Sequence, residues 1–299
     1  MVASAAPNHI QKPRGHLGRR LVRSVDRWIL PLYAFVAVLY LAIPVLVMIA
    51  FSFNDPTGRS NLTWKAFSIN AWLDPLGKPG LAQAVTTSIS IAVLSTIIAT
   101  ILGLLIGLAL VRHAFRGRGI VNLLIFLPMS TPEIVLGVSL LTLFIASTQW
   151  SFVPKGTFFP LSFTTILIAH VMFNISYVVV TIRARLQGFP RHLEEAAADL
   201  GANEWTTFWR VTFPLILPGV IAAALLAFSL SIDDYVITEF TSGQTQTFPI
   251  FIFGSQLRGI PVQVNVIGTI IFVSAVLFVV ISTLLQRRQR LDPVEAEEE

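Results

Sequence analysis

Six stretches of this chain are long and apolar enough to cross a lipid bilayer as helices, and that limits the fold more than anything else in the sequence. They are Trp28–Phe53, Ala84–Val111, Ile120–Ser147, Leu161–Ile182, Pro214–Ile232 and Val262–Leu285. A helix of about 20 residues covers the hydrocarbon core, and it pairs every backbone N–H and C=O within itself. Only the third stretch holds an acid, Glu133. The expected fold is an all-α integral membrane protein with six transmembrane helices. Phe248–Leu257 is apolar but too short to cross, so it is expected to be interfacial or re-entrant. Composition agrees: 12% of the 299 residues are charged, against about 25% in soluble domains.

The formal charge of +5 does not point to nucleic acid, because the basic residues gather at the ends of the apolar stretches. With the N-terminus inside, the segments 1–27, 112–119, 183–213 and 286–299 hold 16 Lys and Arg, and the outer loops hold 5. Such a bias sets orientation and puts both termini in the cytoplasm. The basic leader before Trp28 resembles the start of a secretion signal. The uncharged run behind it is 26 residues, well beyond the roughly 7–15 of a signal core, so it reads as a retained helix. The chain has no cysteine, which excludes disulfides and thiolate chemistry. The expected division is a basic tail (1–27), a membrane domain (28–285) carrying a cytoplasmic loop at 190–214, and a C-terminal tail (286–299) whose acids form a solvated end.

The third span is unusual. In LPMSTPEIVLG, Pro128 and Pro132 each remove a backbone donor and crowd the preceding turn. Ser130 stands three residues before Glu133, the capping-box spacing. A break near Met129–Thr131 with a restart as a half-helix is one reading, and a plain proline kink is the other. In the second span, Gly103 and Gly107 form a small-xxx-small pair that allows close helix approach.

The loop between spans four and five, EEAAADLGANEWTTFWRVTFP from Glu194 to Pro214, is patterned. Leu193, Ala196, Ala197 and Leu200 recur at i, i+3, i+4 and i+7, one apolar face of a short helix. Gly201 is placed to end it in the left-handed conformation, and Asn203 to cap a second piece whose Trp205, Phe208 and Trp209 share a face. Pro214 is expected to close that piece. Glu194, Glu195 and Asp199 lie off the first face, available to Arg or Lys of a partner. A segment resting on headgroups is the alternative, but three acids beside an anionic leaflet argue for docking.

Glu195-Ala196-Ala197, three residues, Gly201, nine residues, then Val211-x-Phe213-Pro214 resembles the EAA loop of bacterial ABC importer permeases, with Val for Ile and Phe for Leu as mild departures. PMSTPEIVLGVSLL (Pro128–Leu141), LSIDDYVITEFTSG (Leu230–Gly243) and IPVQVNVIGT (Ile260–Thr269) are similar to the spermidine/putrescine branch of that family. The resemblance implies a type I importer permease fold in a bacterial inner membrane. It also implies a coupling helix seated on an ATPase, with Leu193, Glu195, Ala196, Ala197, Leu200, Gly201 and Trp205 at the joint. The implied partners are a second permease, two ATPase subunits and an extracytoplasmic solute-binding protein, beside membrane lipid. No G-x-x-x-x-G-K-[ST] occurs here, so ATP and magnesium are expected on the partner ATPase and no cofactor on this chain.

For cargo, intramembrane acids are costly and suggest function. Glu133 follows about 13 residues into its span, roughly 20 Å at a rise of 1.5 Å. Asp233 and Asp234 end the fifth span, with Tyr235 and Glu239 nearby. A polyamine suits spaced carboxylates and aromatic faces; the two aspartates as plain helix caps are the alternative. His170 and Asn174, four apart, read as hydrogen-bond glue between helices. Broken helices and intramembrane acids equally suit an ion-driven secondary transporter, which leaves the EAA pattern unexplained. A membrane enzyme lacks any nucleophile, base or metal cluster in the sequence.

Overall fold

The computed structural model describes residues 16–58 and 60–295, with side chains over 29–58, 60–281 and at Leu284. The helices are α1 (His16–Phe51), α2 (Asn70–Leu73), α3 (Leu81–Arg112), α4 (Arg118–Ser130), α5 (Glu133–Ser147), α6 (Phe163–Gln187), α7 (His192–Asp199), α8 (Glu204–Thr207), α9 (Phe213–Ile232), α10 (Val236–Thr241), α11 (Phe248–Arg258) and α12 (Val262–Glu295). Among the described residues five helical segments are long and apolar enough to cross a membrane: Ile29–Phe51, Leu81–Arg112, Phe163–Gln187, Glu204–Ile232 and Val262–Ile281. A sixth exists when α4 and α5 are counted as one broken span, bent by 113°. Of the expected tails at 1–27 and 286–299, residues 16–27 and 286–295 continue α1 and α12 as helix, and 1–15 and 296–299 lie outside the described residues.

The break in the third span is sharper than a kink, and a proline explains it. The ring of Pro132 crowds the residue before it out of the helical region. Thr131 is accordingly extended (φ −85°, ψ 132°), and α4 stops at Ser130. The capping box expected from Ser130 and Glu133 does not form. Pro132 is the N-cap of α5, without a side-chain bond, and Glu133 is its first residue. Both halves nevertheless pack on α6. Ile125 of α4 packs with Val179 of α6, while Leu136, Leu140 and Phe144 of α5 pack with Ala169 and Phe173. Ten residues separate Val179 from Ala169, about 15 Å of helix. The two halves thus meet α6 at different heights along its axis.

Residues 74–261 form one compact unit. Its core is the α3–α6–α9 bundle, in which Ala99, Val178, Ile182, Ile216 and Ala223 are buried. The two glycines of α3 sit where α6 comes closest. A Cβ on Gly103 would lie 2.5 Å from Val178 Cγ1, and one on Gly107 would lie 3.3 Å from Ile182 Cγ2. Without a hydrophobic drive in lipid, such close packing is what holds helices together. The short α11 is pinned to the bundle by its Phe248 N–H, which donates to Ser88 Oγ at 2.8 Å. At 11 residues it is about 16 Å long, too short to cross.

The residues up to Leu73 and from Val262 onward form the other unit. Here α1 packs on α12, with Met48 Sδ 2.8 Å from where a Cβ of Gly268 would stand. The loop after α1 is held by asparagines rather than cross-links. Asn54 Nδ2 donates to Asn61 Oδ1 at 2.6 Å and to the Thr63 carbonyl at 2.9 Å, and Asn61 Nδ2 donates to the Phe51 carbonyl at 2.7 Å. Phe53 stacks on Phe67 and Trp72 at centroid distances of 5.7 and 5.2 Å.

Candidate functional site

The loop between α6 and α9 has the caps its sequence calls for. Gly201 adopts φ +83°. Its N–H donates to the Ala198 carbonyl at 2.9 Å and the Ala202 N–H to Ala197 at 3.0 Å, the paired bonds of a Schellman ending. Two residues on, Asn203 Oδ1 accepts from the Thr206 N–H at 2.8 Å, an N-cap. The apolar face of α7 is divided. Leu193 and Ala197 are half-buried against the protein, while Ala196 is exposed and Leu200 is 90% exposed. Glu195 and Asp199 are exposed as well.

Two expectations for the loop need correcting. Pro214 does not close the second piece, because α8 runs into α9 through a π-helical turn, Phe208–Thr212. A proline ring clashes with the carbonyl four residues back. The wider turn, in which the Phe213 N–H reaches the Phe208 carbonyl, relieves that crowding and keeps the helix continuous. Trp205, Phe208, Trp209 and Phe213 cluster along it at centroid distances of 4.9 to 5.8 Å, and Trp205 is 71% exposed. Second, Glu194 is not available to a partner. Arg112 Nη1 donates to its Oε2 at 2.6 Å while Nη2 meets Oε1, and the buried Thr212 hydroxyl donates to Oε1 too. Burial of Glu194 raises its pKa, but the bonds from Arg112 and Thr212 and the charges of Arg112 and Arg191 outweigh that and hold it below 4.5. Arg112 stands 82 residues away, so nothing in the local pattern could have shown the pair.

At the far end of the α3–α6–α9 bundle the named acids have different surroundings. Asp234 turns inward, its side chain 9% exposed. Its Oδ2 accepts from the Thr238 N–H at 2.8 Å and from the Thr238 hydroxyl at 2.7 Å, so it caps α10. Asp233, Glu239 and Glu133 are exposed. Glu133 opens α5 one turn before Gly137, where a Cβ would meet Phe240 Cδ2 at 2.6 Å. Tyr235 stacks on Phe253 at 4.6 Å. Glu239 lines an open polar cavity of about 320 Å³ together with Ser242, Gln244, Thr245 and Gln246. The structure thus sets Glu133 and Glu239 on the two packed helices α5 and α10, with Asp233 and Tyr235 just before the latter.

A buried polar network that was only half legible in the sequence lies beneath these residues. His170 Nδ1 is 2.6 Å from Ser231 Oγ, and its Nε2 is 2.9 Å from Thr238 Oγ1. Thr238 spends its one hydroxyl proton on Asp234, so it accepts from His170. The imidazole therefore donates from Nε2, which also lies 3.4 Å from Asp234 Oδ2, and shares a hydrogen bond with Ser231 at Nδ1. Ser231 continues to Ser95 at 3.0 Å, and Asn174 Nδ2 reaches Ser95 at 3.5 Å. His170 and Asn174 are the inter-helix glue expected of them, joining α6 to α3 and α9. Among the described residues no group of three His, Asp or Glu could hold a metal ion.

This fold is that of an ABC importer permease. It aligns with a chain of a bacterial ABC transporter involved in import of the acidic polysaccharide alginate, at a TM-score of 0.64 and 16% identity, covering 90% of this chain and 99% of that one. A chain of the MetNI methionine ABC transporter aligns at 0.53 and 15% identity, covering 70% of this chain and 94% of that one. Residues 99–291 match the family described as binding-protein-dependent transport system inner membrane component, and the chain belongs to that family. It is 38% identical over 257 residues to the spermidine/putrescine transport system permease protein PotC of Haemophilus influenzae, covering 86% of this chain and 95% of that protein. The PotC protein of Escherichia coli is 35% identical, with 83% and 90% covered. The putrescine transport system permease protein PotI of E. coli is 34% identical, with 84% and 87% covered. The chain is thus an inner-membrane transport component.

Proposed function

We propose that the chain forms half of an ATP-driven import pathway for polyamines. In this reading it pairs with a second permease chain, receives cargo from an extracytoplasmic binding protein and is driven by two ATPase subunits that hold the ATP and magnesium. Both termini and the loop at 190–214 face the cytoplasm, in keeping with the Lys and Arg bias. The observation that carries the reading is α7: a capped helix outside the spans with an exposed Leu200, Glu195 and Ala196 and a neighbouring exposed Trp205. An exposed tryptophan such as Trp205 is the kind of anchor on which binding energy at a docking surface concentrates.

Polyamine cargo rests on the named relatives together with the exposed carboxylates of Glu133, Asp233 and Glu239 and the Tyr235–Phe253 pair. Separated ammonium groups are matched by separated acids and by ring faces. Asp234 supports the pathway from behind, as the cap of α10.

The test is purification of the complex through a tag on this chain, followed by uptake of labelled spermidine and putrescine in proteoliposomes. Leu200→Asp or Glu195→Lys should strip the ATPase from the complex. Asp233→Asn, Glu239→Gln and Glu133→Gln should cut uptake with the ATPase retained. Uptake by this chain alone on an ion gradient would replace the reading with secondary transport.

A further inference from the structure

Of the four acids between Arg191 and Pro214, only Glu194 has a side-chain partner among the described residues. Its carboxylate joins three elements far apart in sequence. Glu194 itself stands in the first turn of α7, Arg112 is the last residue of α3, and Thr212 is the last residue of the π turn that leads into α9. The guanidinium and carboxylate meet fork to fork, the geometry that adds direction to strength in a charge-assisted pair. The junction is sheltered, with Thr212 fully buried and the Glu194 side chain 17% exposed. Arg112 also lies over the Phe189 ring, 5.9 Å from its centroid, in the segment just before α7.

The covalent links of α7 are the short non-helical segments 188–191 and 200–203. Chain connectivity therefore ties α7 to α6 and α8, but nothing in it ties α7 to α3. The bond from Arg112 supplies that tie, and the Thr212 bond braces the same carboxylate against the start of α9. Because α3 and α9 both pack on α6 in the buried core, a push on the exposed side of α7 reaches the spans through this carboxylate. We infer that Glu194, Arg112 and Thr212 form the joint that transmits movement of the coupling helix to the second and fifth spans. They act as positioning residues that touch neither ATP nor cargo. This rests on the proposed role of α7 in coupling.

A chain of bonded side chains becomes a coupling path only when its energetic linkage is shown. The test uses the complete importer in proteoliposomes and reads three quantities: ATPase co-purified per permease, labelled spermidine transported, and ATP hydrolysed per spermidine. Glu194→Gln should keep the ATPase yet raise the ATP spent per spermidine about tenfold, within the roughly 5–150-fold range of inter-site coupling. Thr212→Val should do so to a lesser degree. Arg112→Glu should match Glu194→Gln, and the exchanged pair Arg112→Glu with Glu194→Arg should recover much of the loss, which shows that the two act through each other; the raised ATP-per-spermidine ratio with the ATPase retained is what a merely structural role would not give. If Glu194→Gln fails to accumulate in the membrane, Thr212→Val, which leaves the ion pair in place, decides by the same ratio. An unchanged ratio overturns the inference. So does loss of the ATPase from assembled Glu194→Gln, which would make the pair a docking brace only. If the unsubstituted complex contains no ATPase, it is the coupling reading that fails instead.

Discussion

Gly201 offers the sharpest test of the loop, because its surroundings separate two explanations that usually travel together. A Cβ added there would find nothing within 4 Å, yet the backbone stands at φ +83°. Side-chain bulk is therefore irrelevant and conformation is everything. An L-residue in the left-handed region costs roughly 1–2 kcal/mol, less for asparagine, whose short polar side chain bonds locally. The cost falls on the two bonds that end α7, from the Gly201 and Ala202 amides. A shift of that size raises the opened fraction of this turn by about 5–30-fold. Hydrogen exchange of those two amides reads it directly, and ATPase co-purification reads its consequence. The expected order of damage is Gly201→Asn, then Gly201→Ala, then Gly201→Val, although asparagine is larger than alanine. If asparagine is worse than alanine, steric contact is at fault and the left-handed cap is not what shapes the loop.

Other expectations can be checked alongside. Gly103→Ala places its Cβ 2.5 Å from Val178 Cγ1 and should destabilise the bundle by about 1–3 kcal/mol through overpacking; Gly107→Ala, with 3.3 Å to Ile182, should be milder when both are melted in detergent. His170→Leu removes one of two hydroxyl partners from each of Ser231 and Thr238, and a net hydrogen bond is worth about 0.5–1.5 kcal/mol, so its melting temperature should fall. The Glu194 pKa is held below 4.5 in the folded chain. Its contribution is thus fully present above that value and is lost as pH falls through the lowered one. The stability gap between the native chain and Glu194→Gln should be constant from neutral pH down to about 5 and close in stronger acid; a gap that closes near neutrality would contradict the pairing with Arg112.

Short-range signals located the spans, the ending of α7 at Gly201 and the cap at Asn203. Apolar runs, φ-permissive glycines and capping side chains all act over a few residues. Local chemistry also reached the break at Pro132, though not its form. The spacing of Ser130 and Glu133 suited a capping box, but a proline's effect on its own predecessor left Pro132 itself at the N-cap. The continuity of α8 with α9 was hidden for a related reason, since a π turn accommodates a proline that a regular helix would not.

The division of labour among the acids was decided only by tertiary structure. Glu194 and Glu195 are neighbours of one type, yet one is locked to Arg112 and the other is exposed. Asp233 and Asp234 differ in the same way, outward beside inward against Thr238 and His170. Sequence determines which residues can carry charge and which segments leave water. Which charge is satisfied within the chain depends on what another helix brings alongside: Arg112, 82 positions from Glu194, and His170 of α6, 3.4 Å from Asp234. No pattern confined to a single helical turn can encode that.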